Sequence, residues 1–145
     1  MTTSHAVRLR RAEAALKDRL LPLLGEQRLT MEDWRIIAVI DDEPGLAMSA
    51  VATAAVVPPA TLTRHMDRIV ERGLVVRHID AADRRRVVLA LSPAGRSLAE
   101  RLRAEEARAI DEVEDQSGET MPRRSSPIAA RAVVRTGESP AASAI

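Results

Sequence analysis

The chain has 145 residues, a formal net charge of +1 and no cysteine, with 46% hydrophobic and 30% charged residues. This length fits one domain with its own core. The lack of cysteine excludes disulfides, thiolate metal sites and thiol-based redox sensing by this chain. No apolar run reaches the roughly 20 residues of a membrane-spanning helix, and the N-terminus lacks the apolar core of a signal peptide, so the sequence predicts a cytoplasmic protein.

The first predicted element is a helix, because apolar residues recur at helical spacing over residues 3–24. Pro22 predicts a break in this helix, and Gly25 predicts its end. We expect residues 1–28 to have an architectural role.

A second helix is predicted over residues 31–40, which are apolar nearly all round. Thr30 and Asp33 form a capping-box-like start, in which the hydroxyl binds a backbone N–H and the carboxylate favours the positive helix end. Such a helix belongs in the middle of a domain. The chain has one Trp and no Phe or Tyr. This residue, Trp34, is either a core anchor or one wall of a ligand pocket.

Residues 41–45 form an acidic turn, which we interpret as a solvated loop rather than a metal site. A short, alanine-rich helix over residues 47–55 is the predicted first helix of a helix-turn-helix. The turn carries Ala55-Val56 where glycine is usual, and Pro58 stands where a Ser or Thr cap is usual. A lost cap costs about 1 kcal/mol, which leaves the fold in place.

The next predicted helix, residues 58–72, has one apolar and one basic face. The apolar stripe comprises Leu62, Met66, Ile69 and Val70. The opposite face carries Thr61, Arg64, His65, Arg68 and Arg72. Residues 60–87 contain seven Arg and two His against four acids, so positive charge is concentrated here, as on a nucleic-acid-binding surface.

A strand is predicted at residues 87–91, where Val87, Leu89 and Leu91 alternate, and residues 74–79 are its expected partner strand. They pair across an Arg-rich loop at residues 80–86. A last helix is predicted over residues 92–115, with Ser92 as its cap and Pro93 in its first turn. The composition then shifts to Ser, Gly, Pro, Thr, Ala and Arg, so residues 116–145 are predicted to be a disordered tail.

The motifs in residues 29–95 resemble those of the MarR family of bacterial transcription regulators. They are Leu29-Thr30 with Trp34, Thr61-Leu62-Thr63-Arg64, Gly73-Leu74-Val75-Val76-Arg77, Asp83-Arg84-Arg85 and Leu91-Ser92-Pro93-Ala94-Gly95. Each motif is weak by itself, but five of them in order at the family's spacing are specific.

The resemblance implies a mainly α fold with a small β-hairpin wing. A winged helix-turn-helix DNA-binding domain would occupy residues 29–95, with flanking dimerisation helices at residues 1–28 and 92–115. The expected partner of the homodimer is double-stranded DNA with a pseudo-palindromic site. The family normally ends in a further amphipathic helix, which residues 116–145 do not show, so dimerisation through the two flanking helices alone is expected to be weaker.

The DNA-binding residues expected in the helix at residues 58–72 are those exposed near its N-terminal half, namely Thr61, Thr63, Arg64, His65 and Arg68. Arg64 is the expected base reader, because a guanidinium can bind O6 and N7 of guanine, whereas the threonines suit a phosphate or a thymine methyl. Arg72 either contacts DNA or complements the helix dipole.

The wing is expected to insert Arg85 into the minor groove, and the family's Asp-x-Arg element implies that Asp83 orients its guanidinium. Arg84 and Arg86 are either phosphate contacts or solvated charges. Arg77 either pairs with a wing acid or contacts DNA.

Together these features predict a sequence-specific transcriptional regulator, a repressor that a small-molecule effector releases from DNA. Without Phe or Tyr, the effector pocket would be walled by Leu, Met, Val and Trp34. Two alternatives stay open: a degenerate or truncated regulator with impaired dimerisation, and a non-catalytic protein-interaction module on the same fold. No enzyme, cofactor or metal site is predicted, because the chain lacks a Cys nucleophile and a Gly-rich phosphate loop, and its three histidines lack metal-ligand spacing.

Overall fold

The computed structural model describes residues 2–118, which form five helices and three strands. In chain order these are α1 (His5–Glu26), α2 (Met31–Asp42), β1 (Leu46–Ala47), α3 (Met48–Ala55), α4 (Pro59–Glu71), β2 (Val75–Ile79), β3 (Val87–Leu91) and α5 (Pro93–Ser117). The expected mainly helical fold with a β-hairpin wing is confirmed. Of the predicted disordered tail, residues 119–145 lie outside the described part, whereas Gln116 and Ser117 belong to α5.

Helix α1 is continuous through Pro22, so the predicted break near this residue was wrong, as was the predicted end at Gly25. A proline removes one backbone N–H and crowds the carbonyl four residues earlier. Burial compensates for that cost, because Leu20 and Leu24 on either side of Pro22 are fully buried against the rest of the molecule.

The sheet has the strand order β1-β3-β2, and both pairings are antiparallel. β2 and β3 form the predicted hairpin, with Val75 opposite Leu91 and Ile79 opposite Val87. β1 was not predicted; its two residues pair with the far side of β3, where Leu46 lies opposite Leu89. A two-residue strand has no periodicity of its own, so only its pairing defines it.

Helix α2 lies in the middle of the fold and packs against α1, α3, α4, α5 and β3. Its Trp34, Ile36, Ile37 and Ile40 are almost completely buried. The long helices α1 and α5 pack along each other. The wing hairpin and α4 are thereby placed on a base formed by α2 and the two long helices.

Candidate nucleic-acid interface

The turn between α3 and α4 is built without glycine. Val56 takes the left-handed conformation, with φ 57° and ψ 49°, and its backbone N–H closes α3. Val57 is buried beside it, while Val56 is 88% exposed. Pro59 begins α4 at a position where the missing N–H has no helical partner. The short turn therefore directs α4 across α2 as the second helix of a helix-turn-helix.

Helix α4 has the predicted apolar face. Leu62, Met66 and Ile69 are buried in the core, whereas Thr63 and Arg64 are exposed. Thr63 donates its hydroxyl to the Pro59 carbonyl oxygen at 3.1 Å, which leaves its methyl group and a lone pair for an outside partner. Thr61 is half-buried. Arg64 is therefore a long cationic side chain that α4 projects into solvent.

His65 and Arg68 lie on the same helix but turn toward the protein. His65 Nδ1 lies 2.7 Å from Oδ1 of Asp33, and Arg68 Nη2 lies 2.9 Å from both Asp33 carboxylate oxygens. Asp33 is the one charged residue with no exposure among residues 2–118. These contacts join the start of α2 to the middle of α4, so the structure gives His65 and Arg68 a role in positioning α4 that the sequence pattern did not indicate.

Asp33 also completes the capping box expected for α2. Its side chain accepts the Thr30 N–H at 2.8 Å, and its own N–H donates to the Thr30 hydroxyl oxygen at 3.1 Å. Desolvation opposes ionisation of the carboxyl, but hydrogen bonds from Thr30, Arg68 and His65 and the charge of Arg68 outweigh it. They hold the pKa of Asp33 below its ordinary value of 3.8.

The wing loop is ordered by its two aspartates through backbone contacts. Asp83 accepts the backbone N–H of Arg85 at 3.0 Å, and Asp80 accepts that of Ala82 at 3.0 Å. The Asp83 carboxylate thus contacts the backbone of Arg85, and its expected role in orienting the Arg85 guanidinium stays a prediction. Arg84, Arg85 and Arg86 are all exposed.

Two further arginines, Arg72 and Arg77, contact neighbouring elements of the protein. Arg77 on β2 pairs with Asp67 on α4 at 3.0 Å, so its partner is not one of the wing acids. Arg72 donates to the Gln27 carbonyl oxygen, which ties the end of α4 to the loop before α2. Both contacts fix α4 relative to its neighbours.

A second polar cluster joins α2 to α5 and was not identified from the sequence. Trp34 donates its indole N–H to Glu106 at 2.7 Å, and the Arg103 guanidinium lies 5.8 Å from the centre of the Trp34 ring. Arg103 also pairs with Asp41 at 2.7 Å and Asp42 at 2.5 Å. These two acids therefore end α2 in ion pairs, and the interpretation of residues 41–45 as an entirely solvated loop was wrong for them.

Within residues 2–118, no group of three or more His, Cys, Asp or Glu side chains is arranged to hold a metal ion. No helix in this part of the chain is long and apolar enough to cross a membrane.

An exposed arginine on the second helix of a helix-turn-helix, next to an Arg-rich β-hairpin, is the arrangement of winged-helix DNA-binding proteins. The family model described as "MarR family" matches residues 29–86. The HTH-type transcriptional regulator FarR of Neisseria gonorrhoeae is 32% identical over 107 residues, which are 74% of this chain and 73% of that protein. The chain belongs to the MarR family of transcriptional regulators.

Solved structures agree with this assignment. NadR in complex with 4-hydroxyphenylacetate superposes with a TM-score of 0.65 at 30% identity, covering 79% of this chain and 82% of that one. The repressor CouR bound to a 23-mer DNA duplex gives a TM-score of 0.65 at 25% identity with the same coverage. These relatives are regulators of transcription rather than enzymes.

Proposed function

We propose that this protein is a cytoplasmic repressor that binds a pseudo-palindromic DNA site as a homodimer. MarR-family regulators form dimers and bind DNA. The observation that carries the proposal is the charge on the exposed surface of α4 and the wing. Arg64, Arg84, Arg85 and Arg86 are exposed, and within residues 2–118 no carboxylate lies close enough to pair with their guanidiniums. These four cations are therefore available to DNA.

Within this surface we assign different roles to α4 and the wing. Arg64 reads a base edge in the major groove, because it projects from the exposed side of the helix that would enter the groove. Thr61 and Thr63 contact a phosphate or a thymine methyl beside it. Arg85 enters the minor groove, where the narrow groove's negative potential attracts a cation, and Arg84 and Arg86 bind flanking phosphates.

A nuclease footprint on the DNA upstream of the protein's own gene tests the proposal directly. The full chain should protect a symmetric site of roughly 20 base pairs, since each half-site lies about one helical turn from the other. Protection should weaken steeply as salt rises, because bound arginines release counterions from the phosphates. A folded, dimeric protein that protects no symmetric site there or in a genomic selection would contradict the proposal.

Two alanine variants separate base reading from backbone binding. Arg64→Ala should weaken binding to the protected site by about 1–3 kcal/mol and relax the preference for one base. Arg85→Ala should weaken binding to specific and scrambled DNA alike and lower the salt dependence. Both are measured by fluorescence anisotropy on labelled duplexes.

Arg101→Ala is the matched control, because Arg101 is an exposed arginine on α5, away from α4 and the wing. It should leave affinity unchanged. Equal losses on specific and scrambled DNA for both Arg64→Ala and Arg85→Ala would contradict the assigned roles.

We further propose that a small aromatic acid releases the protein from DNA. NadR, the relative of similar fold, is solved in complex with 4-hydroxyphenylacetate. In this chain Trp34 and Arg103 lie together between α2 and α5. Trp34 is buried and Arg103 is paired with Asp41 and Asp42, so such a molecule would bind there by displacing these contacts, its carboxylate taking the place of the two aspartates on Arg103. Trp34 is the only tryptophan, and tyrosine is absent, so intrinsic fluorescence reports on this position alone.

Titration with 4-hydroxyphenylacetate should quench or shift Trp34 fluorescence and lower anisotropy of labelled operator DNA over the same concentration range. Benzoate analogues then define the preferred acid. A fluorescence change without release of DNA would show binding that is not coupled to the operator, and would contradict the proposed regulation.

A further inference from the structure

An open pocket of about 360 Å³ lies between the start of α2 and α4, and it is lined by Thr30, Arg64, His65 and Arg68. Its lining carries hydrogen-bond donors and cations. The Thr30 hydroxyl oxygen accepts the Asp33 N–H, so its O–H points elsewhere. Arg68 Nε is buried without a hydrogen-bond partner. Asp33, the acid that contacts His65 and Arg68, has no exposure and is not part of the lining. The pocket thus suits an oxyanion.

The geometry around His65 fixes which ring nitrogen carries the proton. Nδ1 lies 2.7 Å from a carboxylate oxygen of Asp33 and 3.0 Å from Arg68 Nη2. Arg68 Nη2 only donates, so Nδ1 could accept from it, but an ionised carboxylate oxygen only accepts and its contact with Nδ1 is the shorter of the two, so we assign the proton to Nδ1. In neutral His65 the proton is therefore on Nδ1, and Nε2 presents a lone pair.

This tautomer has a consequence for an anion in the pocket. A phosphate oxygen beside Nε2 would meet a lone pair if the ring were neutral, whereas the imidazolium donates from both nitrogens. His65 can therefore bind Asp33 and a phosphate at the same time only when it is protonated. An anion next to a histidine also favours its charged form.

We propose that a DNA backbone phosphate occupies this pocket, that His65 binds it through Nε2–H, and that each protomer takes up a proton at His65 when it binds DNA. The inference rests on the proposed DNA-binding function and adds to it a phosphate site and a pH dependence. Asp33 is the positioning residue: it orients the imidazole and balances the charge of Arg68.

The other charged groups near the His65 ring determine whether DNA affinity rises or falls with pH. Asp33 faces it from α2, and Arg64 and Arg68 face it from α4. Helix α3 contains no charged residue, and Arg77 of β2 is paired with Asp67. Since Asp33 and Arg68 offset each other, the incoming phosphate is the added charge that favours protonation. DNA affinity should consequently rise as pH falls.

Anisotropy of the full-length protein on operator DNA, at constant ionic strength from about pH 8 to about pH 6, measures this linkage. The wild type should gain affinity as pH falls, by at most about tenfold per pH unit for each protomer's proton. His65→Gln should bind more weakly at low pH and lose most of the pH dependence. His78→Gln is the matched control, since His78 is an exposed histidine on β2, and it should retain that dependence.

Two further measurements identify the contact. Titration calorimetry in buffers of different ionisation enthalpy should show proton uptake by the wild type and a smaller uptake by His65→Gln. Duplexes with a neutral methylphosphonate placed at successive positions should lose the pH dependence at one position in each half-site, because the phosphate charge is removed there. A pH dependence unaffected at every position would show that His65 contacts no phosphate.

The outcomes distinguish this inference from the function on which it rests. Specific binding that is equally tight at every pH, or a His65→Gln variant with the wild-type pH dependence, overturns the phosphate site alone. Absence of specific binding at every pH overturns the proposed DNA-binding function and this site with it. If circular dichroism shows that His65→Gln is misfolded, calorimetry and methylphosphonate substitution with the wild-type protein test the phosphate site without the variant.

Discussion

At the scale of single residues, the turn of the helix-turn-helix contains a residue with a strained backbone conformation. Val56 adopts φ 57°, a conformation that costs an L-residue about 1–2 kcal/mol and that glycine adopts freely. Its side chain is 88% exposed and contributes little packing. Val56→Gly should therefore raise the free energy of unfolding by about 0.5–1 kcal/mol, measured by urea denaturation, even after the entropy that glycine adds to the unfolded chain.

The control for this substitution is Ala54→Gly, two residues earlier. Ala54 is exposed and lies inside α3, where glycine costs roughly 1 kcal/mol relative to alanine. The two glycine substitutions should change stability in opposite directions. A loss of stability in both variants would mean that the left-handed conformation of Val56 carries no strain.

Asp33 makes stability depend on acid pH. Because its pKa is lower in the folded than in the unfolded protein, its contribution to stability is complete above the ordinary value of 3.8 and is lost as pH falls through the folded pKa. Asp33→Asn should destabilise the protein by about 2–3 kcal/mol near neutral pH, since it leaves Arg68 and His65 without a carboxylate, although Arg68 is partly exposed.

Urea denaturation of both proteins from about pH 7 to about pH 3 tests the direction of this effect. The difference in the free energy of unfolding between the wild type and Asp33→Asn should be constant near neutral pH and should shrink below about pH 4. A difference that stays constant down to the lowest pH would show that ionisation of Asp33 does not stabilise the fold.

At the scale of elements, the start of α5 is packed against the base of the wing at one glycine. Ser92 caps α5 by accepting the Gly95 N–H at 3.0 Å, and its own N–H donates to the Leu74 carbonyl oxygen at 3.0 Å. A Cβ on Gly95 would lie 2.0 Å from that same Leu74 oxygen. Since this obstacle is backbone, the helix and the wing would have to move apart.

Gly95→Ala should therefore lower the free energy of unfolding by about 2–4 kcal/mol, as overpacking and the broken cap add. Gly25→Ala is the matched control: nothing lies within 4 Å of an added Cβ there, and Gly25 lies inside α1. Alanine should be neutral or should stabilise by up to roughly 1 kcal/mol at that position. Thermal denaturation of the two variants compares them, and similar losses in both would contradict the close contact at Gly95.

The sequence predicted those elements whose determinants are local. The amphipathic pattern of α4 and the Thr30–Asp33 capping box depend only on residues close together in the sequence, and both are present in the structure. Contacts between residues distant in the chain were not predictable in this way. Asp33 meets His65 and Arg68 more than thirty positions later, and β1 exists only because β3 lies beside it. The backbone contact of Asp83 with the Arg85 N–H was also not predicted, because the sequence does not show which local group a carboxylate binds.

At the scale of the whole molecule, polar contacts connect the long helices to the DNA-facing helix. Arg19 on α1 contacts Glu105 at 3.3 Å, and Glu106 on the next position of α5 accepts from Trp34 on α2. Asp33, adjacent to Trp34, then binds α4. Binding of an effector at Trp34 would therefore act on the helix that positions α4, which gives the proposed release from DNA a physical route.

Helix α1 carries an exposed leucine near its N-terminus, on the same face that packs against the core farther along the helix. An exposed leucine on an apolar face indicates a contact with a second copy of the chain. Leu9 is spaced seven and eleven residues from Leu16 and Leu20, so all three share one face, yet Leu9 is 64% exposed while Leu20 is fully buried. We propose that a second copy of the chain covers Leu9. Leu9→Glu should then weaken dimerisation at least tenfold, because it places a charge in an apolar contact.

Analytical ultracentrifugation across a dilution series measures this effect, and operator binding should weaken in parallel because a monomer reads only one half-site. Ala14→Glu places the same charge on an exposed position of α1 that lies nearly opposite the stripe, and it should leave the dimer intact. If Leu9→Glu stays dimeric at the concentrations at which the wild type does, the dimer contact must lie elsewhere. DNA binding would then no longer depend on this end of α1.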